Sequence, residues 1–234
     1  MSHLYLEDVL RIAAAEIGYH EKNSDSNLDQ KTAANDGDGN HTKYARDLHA
    51  AGYYNGDKCG FAWCDAFVDW CLYMGAGMDG TYAQKAQCQT GDCGAGCWYS
   101  AQYYMAQGRF YKTGPRAGDQ IFFNDFAHTG LIEKVEGTVI TTIEGNTGNA
   151  VARRTYQVGS KCIDGFGRPR YDSMPVDIGD GHEYSRDARA WAVQNGIIQG
   201  VGKLQDGRTD YDWEGPVTRE QLVTILHRMD QDKS

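Results

Sequence analysis

The stretch Gly60-Phe61-Ala62-Trp63-Cys64-Asp65-Ala66-Phe67-Val68-Asp69-Trp70-Cys71 predicts a buried helix with a cysteine in its first turn. Apolar side chains recur at i, i+3, i+4 and i+7, on one helical face: Phe67, Trp70, Cys71 and Met74. Cys64 lies where unpaired backbone N–H groups and the positive end of the helix dipole favour a thiolate. A thiol nucleophile also needs a base, and a histidine elsewhere in the chain is the residue suited to that role.

His128 is the histidine that best suits this role. Among the seven histidines, it alone begins a predicted strand directly after an apolar run, and a strand holds an imidazole rigidly, as a general base requires. Gly137 is suited to close a three-residue loop at the end of that strand. Such a loop would pair His128 with Glu144 and put Asn146 on the same face, whereas a two-residue loop would turn Glu144 to the other face.

The order cysteine, histidine, glutamate or asparagine is one that activates a thiol for acyl transfer. Taken singly, the residues have plainer explanations. A cysteine on an apolar helix face usually packs in the core, as we expect for Cys71, and a histidine at a strand start is usually exposed or already hydrogen-bonded. Cys59, five residues before Cys64, is the less suitable nucleophile because it precedes the helix and follows turn residues.

Helical patterns come first in the chain and strand patterns follow, which predicts an α+β fold with N-terminal helices packed on an antiparallel sheet. Further helices are expected at residues 5–17, 42–52, 98–107, 186–195 and 220–229, with Thr42 as the N-cap of the second and Thr218 as the N-cap of the last. Strands are expected at residues 120–123, 128–135, 138–144, 151–158 and 163–169. The segments 21–41 and 75–96 are expected to be irregular.

Composition excludes two classes of partner. The 234-residue chain has a net charge of −9 and no basic stripe, so we expect neither nucleic acid nor an anionic membrane surface as a partner. No apolar run approaches transmembrane length, and residues 1–4 do not begin like a signal peptide. We therefore expect synthesis in the cytoplasm.

The cysteines and one polar loop leave several metal and redox states open. Cys88, Cys93 and Cys97 are spaced C-x4-C-x3-C and could bind zinc with Cys71 or Cys162, although disulfides or buried thiols fit the spacing better. Asp36 and Asp38 have part of the spacing of a calcium loop, but a glycine and a final glutamate are missing from it. A solvated, turn-rich loop is the better interpretation there, and no cofactor is expected.

Three segments together resemble the CHAP family of cysteine, histidine-dependent amidohydrolases and peptidases, which are papain-like in fold and frequent in phage endolysins. They are Trp63-Cys64-Asp65-Ala66-Phe67-Val68, then Gly118-Asp119-Gln120-Ile121-Phe122-Phe123 with Ala127-His128-Thr129-Gly130-Leu131-Ile132, then Thr142-Ile143-Glu144-Gly145-Asn146-Thr147. The resemblance covers residues 1–171. It implies peptidoglycan as the substrate and an amide of the peptide stem or cross-bridge as the bond that is cut.

The resemblance also implies the roles of individual residues. It makes Cys64 the nucleophile, His128 the base and later the acid, Glu144 the partner of the imidazole, and Asn146 a supporting residue. Trp63, directly before the nucleophile, is a candidate contact for the substrate.

The tail resembles an S-layer homology (SLH) motif, which binds secondary polymers of the cell wall. The resemblance rests on Trp191-Ala192-Val193-Gln194-Asn195-Gly196-Ile197-Ile198 and Gly215-Pro216-Val217-Thr218-Arg219-Glu220-Gln221-Leu222. It implies Trp191 and Arg219 as polymer contacts. The family typically has three copies and this chain has one, so the tail could act through a homo-oligomer, and the same residues also fit a simple helix cap. We expect a catalytic domain at 1–171, a linker at 172–184 and the SLH-like segment at 185–234.

The leading functional hypothesis is a phage-type peptidoglycan hydrolase, an N-acetylmuramoyl-L-alanine amidase or an endopeptidase, that reaches the bacterial wall after release from the cell. One alternative is a catalytically inactive wall-binding protein. Another is a cysteine protease or deamidase that acts on proteins. The sequence leaves open which bond is cut and which wall is attacked.

Overall fold

Six antiparallel strands and five helices make up the larger part of the protein, in a computed structural model that describes residues 2–89, 96–172, 186–194, 197–198, 201–204, 209–213, 219 and 222–225. The chain divides into two units, Met1–Asp172 and Ser173–Ser234. The helices of the first unit are α1 (Leu6–Ala15), α2 (Lys43–Ala50), α3 (Cys64–Gly75), α4 (Gly80–Ala86) and α5 (Cys97–Ala106). Its strands are β1 (Phe110–Tyr111), β2 (Gln120–Phe123), β3 (His128–Glu136), β4 (Val139–Glu144), β5 (Ala152–Gln157) and β6 (Ile163–Gly167).

Helix α3 lies at the centre of the first unit. Every residue from Cys64 to Leu72 is buried, because α1, α2, α4 and the sheet residues Leu131 and Ile143 pack around the helix. A helix that is apolar on nearly every side is stable only when it is surrounded in this way. The expectation of a buried helix in this stretch is confirmed.

The sheet has the strand order β1-β6-β2-β3-β4-β5, and its paired strands are antiparallel. The α+β class with an antiparallel sheet is therefore confirmed, and the five main strands lie within two residues of their expected bounds. Thr42 caps α2 as expected, since its side chain accepts a hydrogen bond from the Ala45 N–H. Helix α4 was not expected, because a helix of seven residues is too short to show a clear helical period.

The β3–β4 hairpin differs from the expected three-residue loop. Glu136 pairs with Val139, so the loop has two residues, and Gly137 has φ +60° at the first of them, as type II′ turns prefer. This loop alone would have turned Glu144 away from His128. A β-bulge between Ile132 and Lys134 shifts the register by one residue, and that shift returns Glu144 to the face that carries His128.

The second unit is described in part. Helix α6 (Arg186–Gln194) confirms the expected helix there, and two short strands, β7 (Gly202–Lys203) and β8 (Thr209–Asp210), pair antiparallel. Of the helix expected near the C-terminus, residues 222–225 are helical, and its proposed cap Thr218 lies outside the described residues. In the part of the chain that the structure describes, no helix combines the length and apolar character needed to cross a bilayer.

Candidate active site

Cys64 is the first residue of α3, and its side chain is buried except for a small exposed part. The preceding residue, Trp63, has no exposed surface, and its indole N–H donates a hydrogen bond of 2.6 Å to Glu21 Oε2. The expectation that Trp63 contacts substrate is therefore wrong. Its ring belongs to the core and fixes the backbone from which α3 begins.

His128, the first residue of β3, lies between Cys64 and Glu144. Its Nε2 is 2.8 Å from Glu144 Oε2, and its imidazole lies close enough to the Cys64 thiol to lower the pKa of that thiol. Because Glu144 engages Nε2, Nδ1 is the nitrogen left to exchange a proton with Cys64. The histidine is 23% exposed and the glutamate 1%, so the pair is shielded from solvent on the glutamate side.

Glu144 is held by a group that local sequence patterns do not reveal. The Thr142 hydroxyl donates a hydrogen bond of 2.6 Å to Glu144 Oε1, and Glu144 adds to the effect of burial in raising the pKa of Tyr156. The ring of Phe123 stacks on the His128 imidazole, with a centroid distance of 5.9 Å. These neighbours hold the Glu144 carboxylate in one orientation, with Oε2 facing the imidazole.

Gly130 provides the space through which Glu144 reaches His128. The pairing of Leu131 with Ile143 puts Gly130 opposite Glu144, and a Cβ atom at position 130 would lie 2.5 Å from Glu144 Cγ. Only glycine leaves this crossing open. A small residue at this point of an otherwise apolar strand was the available signal in the sequence.

The substitution Gly130→Ala should therefore reduce activity by about 100-fold, as expected when a catalytic group is displaced by about 1 Å. Steady-state kinetics on isolated cell walls would measure the loss. Gly56→Ala is the matched control, because no atom lies within 4 Å of a Cβ at that position. Equal activities of the two variants would contradict a role for Gly130 in positioning Glu144.

Asn146 follows β4 in a left-handed conformation, with φ +55°. Its side-chain amide donates a hydrogen bond of 3.4 Å to Asn40 Oδ1. The structure thus brings Cys64, His128 and Glu144 together, while it directs Asn146 toward the loop that precedes α2. The role of Asn146 as a supporting residue of the site stays a prediction.

Cys97 is a second thiol at the site. Its Sγ lies 3.4 Å from the Sγ of Cys64, and it begins α5 as Cys64 begins α3. The Asp65 carboxylate holds this end of α5 through hydrogen bonds from the Gly96 N–H and the Ser100 hydroxyl, of 2.7 and 2.9 Å. Spacing in the sequence groups Cys97 with Cys88 and Cys93. In the structure the Cys97 sulfur faces Cys64, and Cys93 lies outside the described residues.

The charges of the site favour a thiolate at Cys64 and an imidazolium at His128. The hydrogen bond from Cys97 lowers the pKa of Cys64 well below its usual value, burial opposes this, and His128 lowers it further. Burial alone would lower the pKa of His128. The interactions of the imidazole with Cys64 and Glu144 have the larger combined effect and raise this pKa to about 9. Burial raises the pKa of Asp65 to about 6, and the hydrogen bond to Cys64 and burial raise the pKa of Cys97. The geometry allows either sulfur to be the donor, and with a thiolate at Cys64 the Cys97 thiol donates.

The other cysteines are less suited to nucleophilic attack. Burial raises the pKa of Cys71 well above its usual value, and burial together with the Asp57 carboxylate raises that of Cys59 to about 11. All cysteines in the described part of the chain are free thiols. The Asp36 carboxylate, considered above as a calcium ligand, accepts a hydrogen bond from the buried Lys22 ammonium.

The remaining candidate contacts belong to the second unit. Trp191 on α6 is 50% exposed, and Arg219 is also exposed. Both therefore offer surface to a partner, and their role in polymer binding stays a prediction.

Comparison with known proteins adds little to this description. No family model matches the chain, and no curated protein matches it. The solved structures to which the chain is similar include "The crystal structure of Ly7917", with 15% identity and a TM-score of 0.42, and "The crystal structure of Ly7917 with the hydrolyzing product of MDP", with 19% identity and a TM-score of 0.37. The match covers 70% of this chain and 62% of each of those chains.

Proposed function

We propose that this protein is a thiol-dependent peptidoglycan hydrolase that cuts an amide bond of the peptide stem or cross-bridge. The observation that carries the proposal is the His128 imidazole that Glu144 holds at 2.8 Å beside the Cys64 thiol, whose pKa it lowers. Such an arrangement supplies a nucleophile, a proton carrier and an orienting carboxylate, which are the groups that acyl transfer requires. The finer assignment of a papain-like, CHAP-type fold and a phage endolysin rests on the three sequence segments and is part of this proposal.

The reaction follows from the charges of the site. The Cys64 thiolate attacks the amide carbonyl carbon, and the C–N bond breaks as the His128 imidazolium gives its proton to the leaving amine. The acyl group remains on Cys64 as a thioester. His128, now neutral, takes a proton from water, and the resulting hydroxide displaces the thiolate and releases a carboxylic acid. The Cys64 backbone N–H at the start of α3 can donate to the oxyanion of each tetrahedral intermediate.

Exposed aromatic rings near Cys64 and Cys97 in the sequence support a substrate with peptide and sugar parts. Trp98 and Tyr99, which follow Cys97 in α5, are 52% and 58% exposed, and Phe61, three residues before Cys64, is 64% exposed. Rings of this kind offer flat apolar surface together with polar edges. The expected action at the bacterial wall and the binding of secondary wall polymers by Trp191 and Arg219 belong to the same proposal.

Product analysis tests the function. Purified protein is incubated with isolated cell walls, and the released fragments are identified by mass spectrometry. New amino termini at the first alanine of the stem would indicate an amidase, and termini within the stem or cross-bridge an endopeptidase. Cleavage of an unfolded protein, with no fragments from any wall, would show that the site acts on proteins instead.

Activity should depend on pH in a bell shape. The thiolate–imidazolium pair is lost at low pH as Cys64 takes up a proton, and at high pH as His128 loses one near its pKa of about 9. In Glu144→Gln, His128 loses a carboxylate that raises its pKa, so the alkaline limb should move to lower pH. The pH profile of kcat/KM measures both limbs. An alkaline limb that stays in place in Glu144→Gln would show that the glutamate does not set the charge of the imidazole.

A further inference from the structure

Three metal-ligating side chains meet away from the Cys64 site. Asp25, His41 and Cys59 bring a carboxylate oxygen, an imidazole Nδ1 and a thiol sulfur within 4.8 Å of one another. His41 Nδ1 is already 2.7 Å from Asp25 Oδ1. Ligand atoms in a tetrahedral zinc site are about 3.3–3.6 Å apart, as follows from bond lengths of about 2.0–2.3 Å. A small side-chain rotation would bring the three atoms to that spacing.

The backbone holds these side chains in place. His41 exchanges two hydrogen bonds with Lys22, of 2.9 and 3.1 Å, and the Gly60 N–H donates to Asn40 O at 3.0 Å, which ties the Cys59 loop to the His41 segment. The Asn35 amide bonds to residues on either side of Asp25, namely Ser24 and Ser26. The three ligands therefore come from separate segments that are already fixed to one another, which lowers the cost of ordering them around an ion.

The charges at the cluster favour a divalent cation. Asp57 accepts a hydrogen bond from the Cys59 backbone N–H at 2.9 Å, so a second carboxylate besides Asp25 lies next to the residue that supplies the thiol. A bound cation would balance the negative charge of a thiolate and of these carboxylates.

We propose that Asp25, His41 and Cys59 form a binding site for a borderline-soft divalent cation of the Zn²⁺ class. Thiolate and imidazole ligands select such ions over Ca²⁺ and Mg²⁺, which prefer oxygen alone. Three protein ligands leave a fourth position for water or for Asp57. The ion would fix the loop beside Asn40, which contacts Asn146, and this role does not depend on the proposed hydrolase activity.

Titration with Co²⁺ and Zn²⁺ tests the site. The full chain carries Cys64→Ser and Cys97→Ser, so that the thiols beside His128 cannot bind the probe, and is first treated with a chelator. We expect one equivalent of Co²⁺ to bind with thiolate-to-cobalt charge-transfer absorption, and Zn²⁺ to displace it. Zn²⁺ should also raise the midpoint of thermal unfolding, because it binds the folded state alone.

Single substitutions in the same background identify the ligands. Cys59→Ser should remove the charge-transfer band, and His41→Gln should weaken binding by more than about 100-fold, since loss of an outer-shell partner alone costs 10–100-fold. Cys162→Ser is the matched control, a partly buried thiol outside the cluster, and should bind as the background protein does. Absence of stoichiometric binding, or a band that persists in Cys59→Ser, would overturn the proposal.

Discussion

Replacing Cys64 by alanine should reduce the release of wall fragments by about 10⁴-fold or more, the size of effect seen when the nucleophile of a catalytic triad is removed. The substitution removes only a sulfur atom at the start of α3 and leaves the Trp63 core contact intact. Folding should therefore be preserved, which circular dichroism and thermal unfolding would check. Fragment release from cell walls, measured as new amino termini, reports the loss of activity.

Two other cysteines provide matched controls for Cys64→Ala. Cys71 lies two turns further along the same helix and is fully buried, so Cys71→Ala should keep its activity and lose about 1 kcal/mol of unfolding free energy, since little more than one buried atom is removed. Cys59→Ala should also remain active, because Cys59 lies before the helix and its thiol is held protonated. If Cys59→Ala were inactive and Cys64→Ala active, the nucleophile would be Cys59.

Mild oxidation should inactivate the protein reversibly through a bond between Cys64 and Cys97. Hydrogen peroxide converts the Cys64 thiolate to a sulfenic acid with release of hydroxide, and the Cys97 thiol then displaces water to form a disulfide. The sulfurs are 3.4 Å apart, and rotation of the two side chains can close the gap to the roughly 2.05 Å of an S–S bond. Activity should fall to background and return completely with dithiothreitol.

The variant Cys97→Ser separates this reaction from plain oxidation of the nucleophile. Without a second thiol, the sulfenic acid is oxidised further to forms that a thiol does not reduce, so dithiothreitol should not restore activity. Cys88→Ser is the control, a buried cysteine of the same apolar cluster, and should recover as the wild type does. Full recovery of Cys97→Ser, or a peptide map that links Cys64 to another cysteine, would contradict the prediction.

Local patterns were sufficient to predict most of the fold. The helix that begins at Cys64, the Thr42 cap and the five main strands follow from periodicity and end signals, which depend only on residues a few positions apart. Elements too short to show a period, such as α4 and β1, were missed for the same reason. The candidate calcium and zinc ligands, considered and not favoured, rested on spacing alone, and spacing does not report that Lys22 bonds to Asp36.

The candidate site was predicted in part. A hairpin register inferred from Gly137 predicts His128 and Glu144 on one face. The structure brings them to 2.8 Å, but through a two-residue turn and a bulge instead of a three-residue loop. The expected and the observed registers of β3 against β4 differ by an even number of residues. Because side chains alternate between the two faces of a strand, either register keeps His128 and Glu144 on one face. The crossing of Glu144 over Gly130 depends on the actual register and could not be predicted.

The sequence by itself determined that Cys64 begins a buried helix and that His128 begins a strand, because both features depend on local backbone preferences. Only the tertiary structure decided what surrounds the thiol. Cys97 is 33 residues from Cys64 in the chain, yet the two sulfurs are 3.4 Å apart in space. The buried Trp63 indole donates a hydrogen bond to Glu21, which lies 42 residues before it in the chain. Such contacts arise when whole elements pack together, and packing depends on shape and on polar groups that no local pattern records.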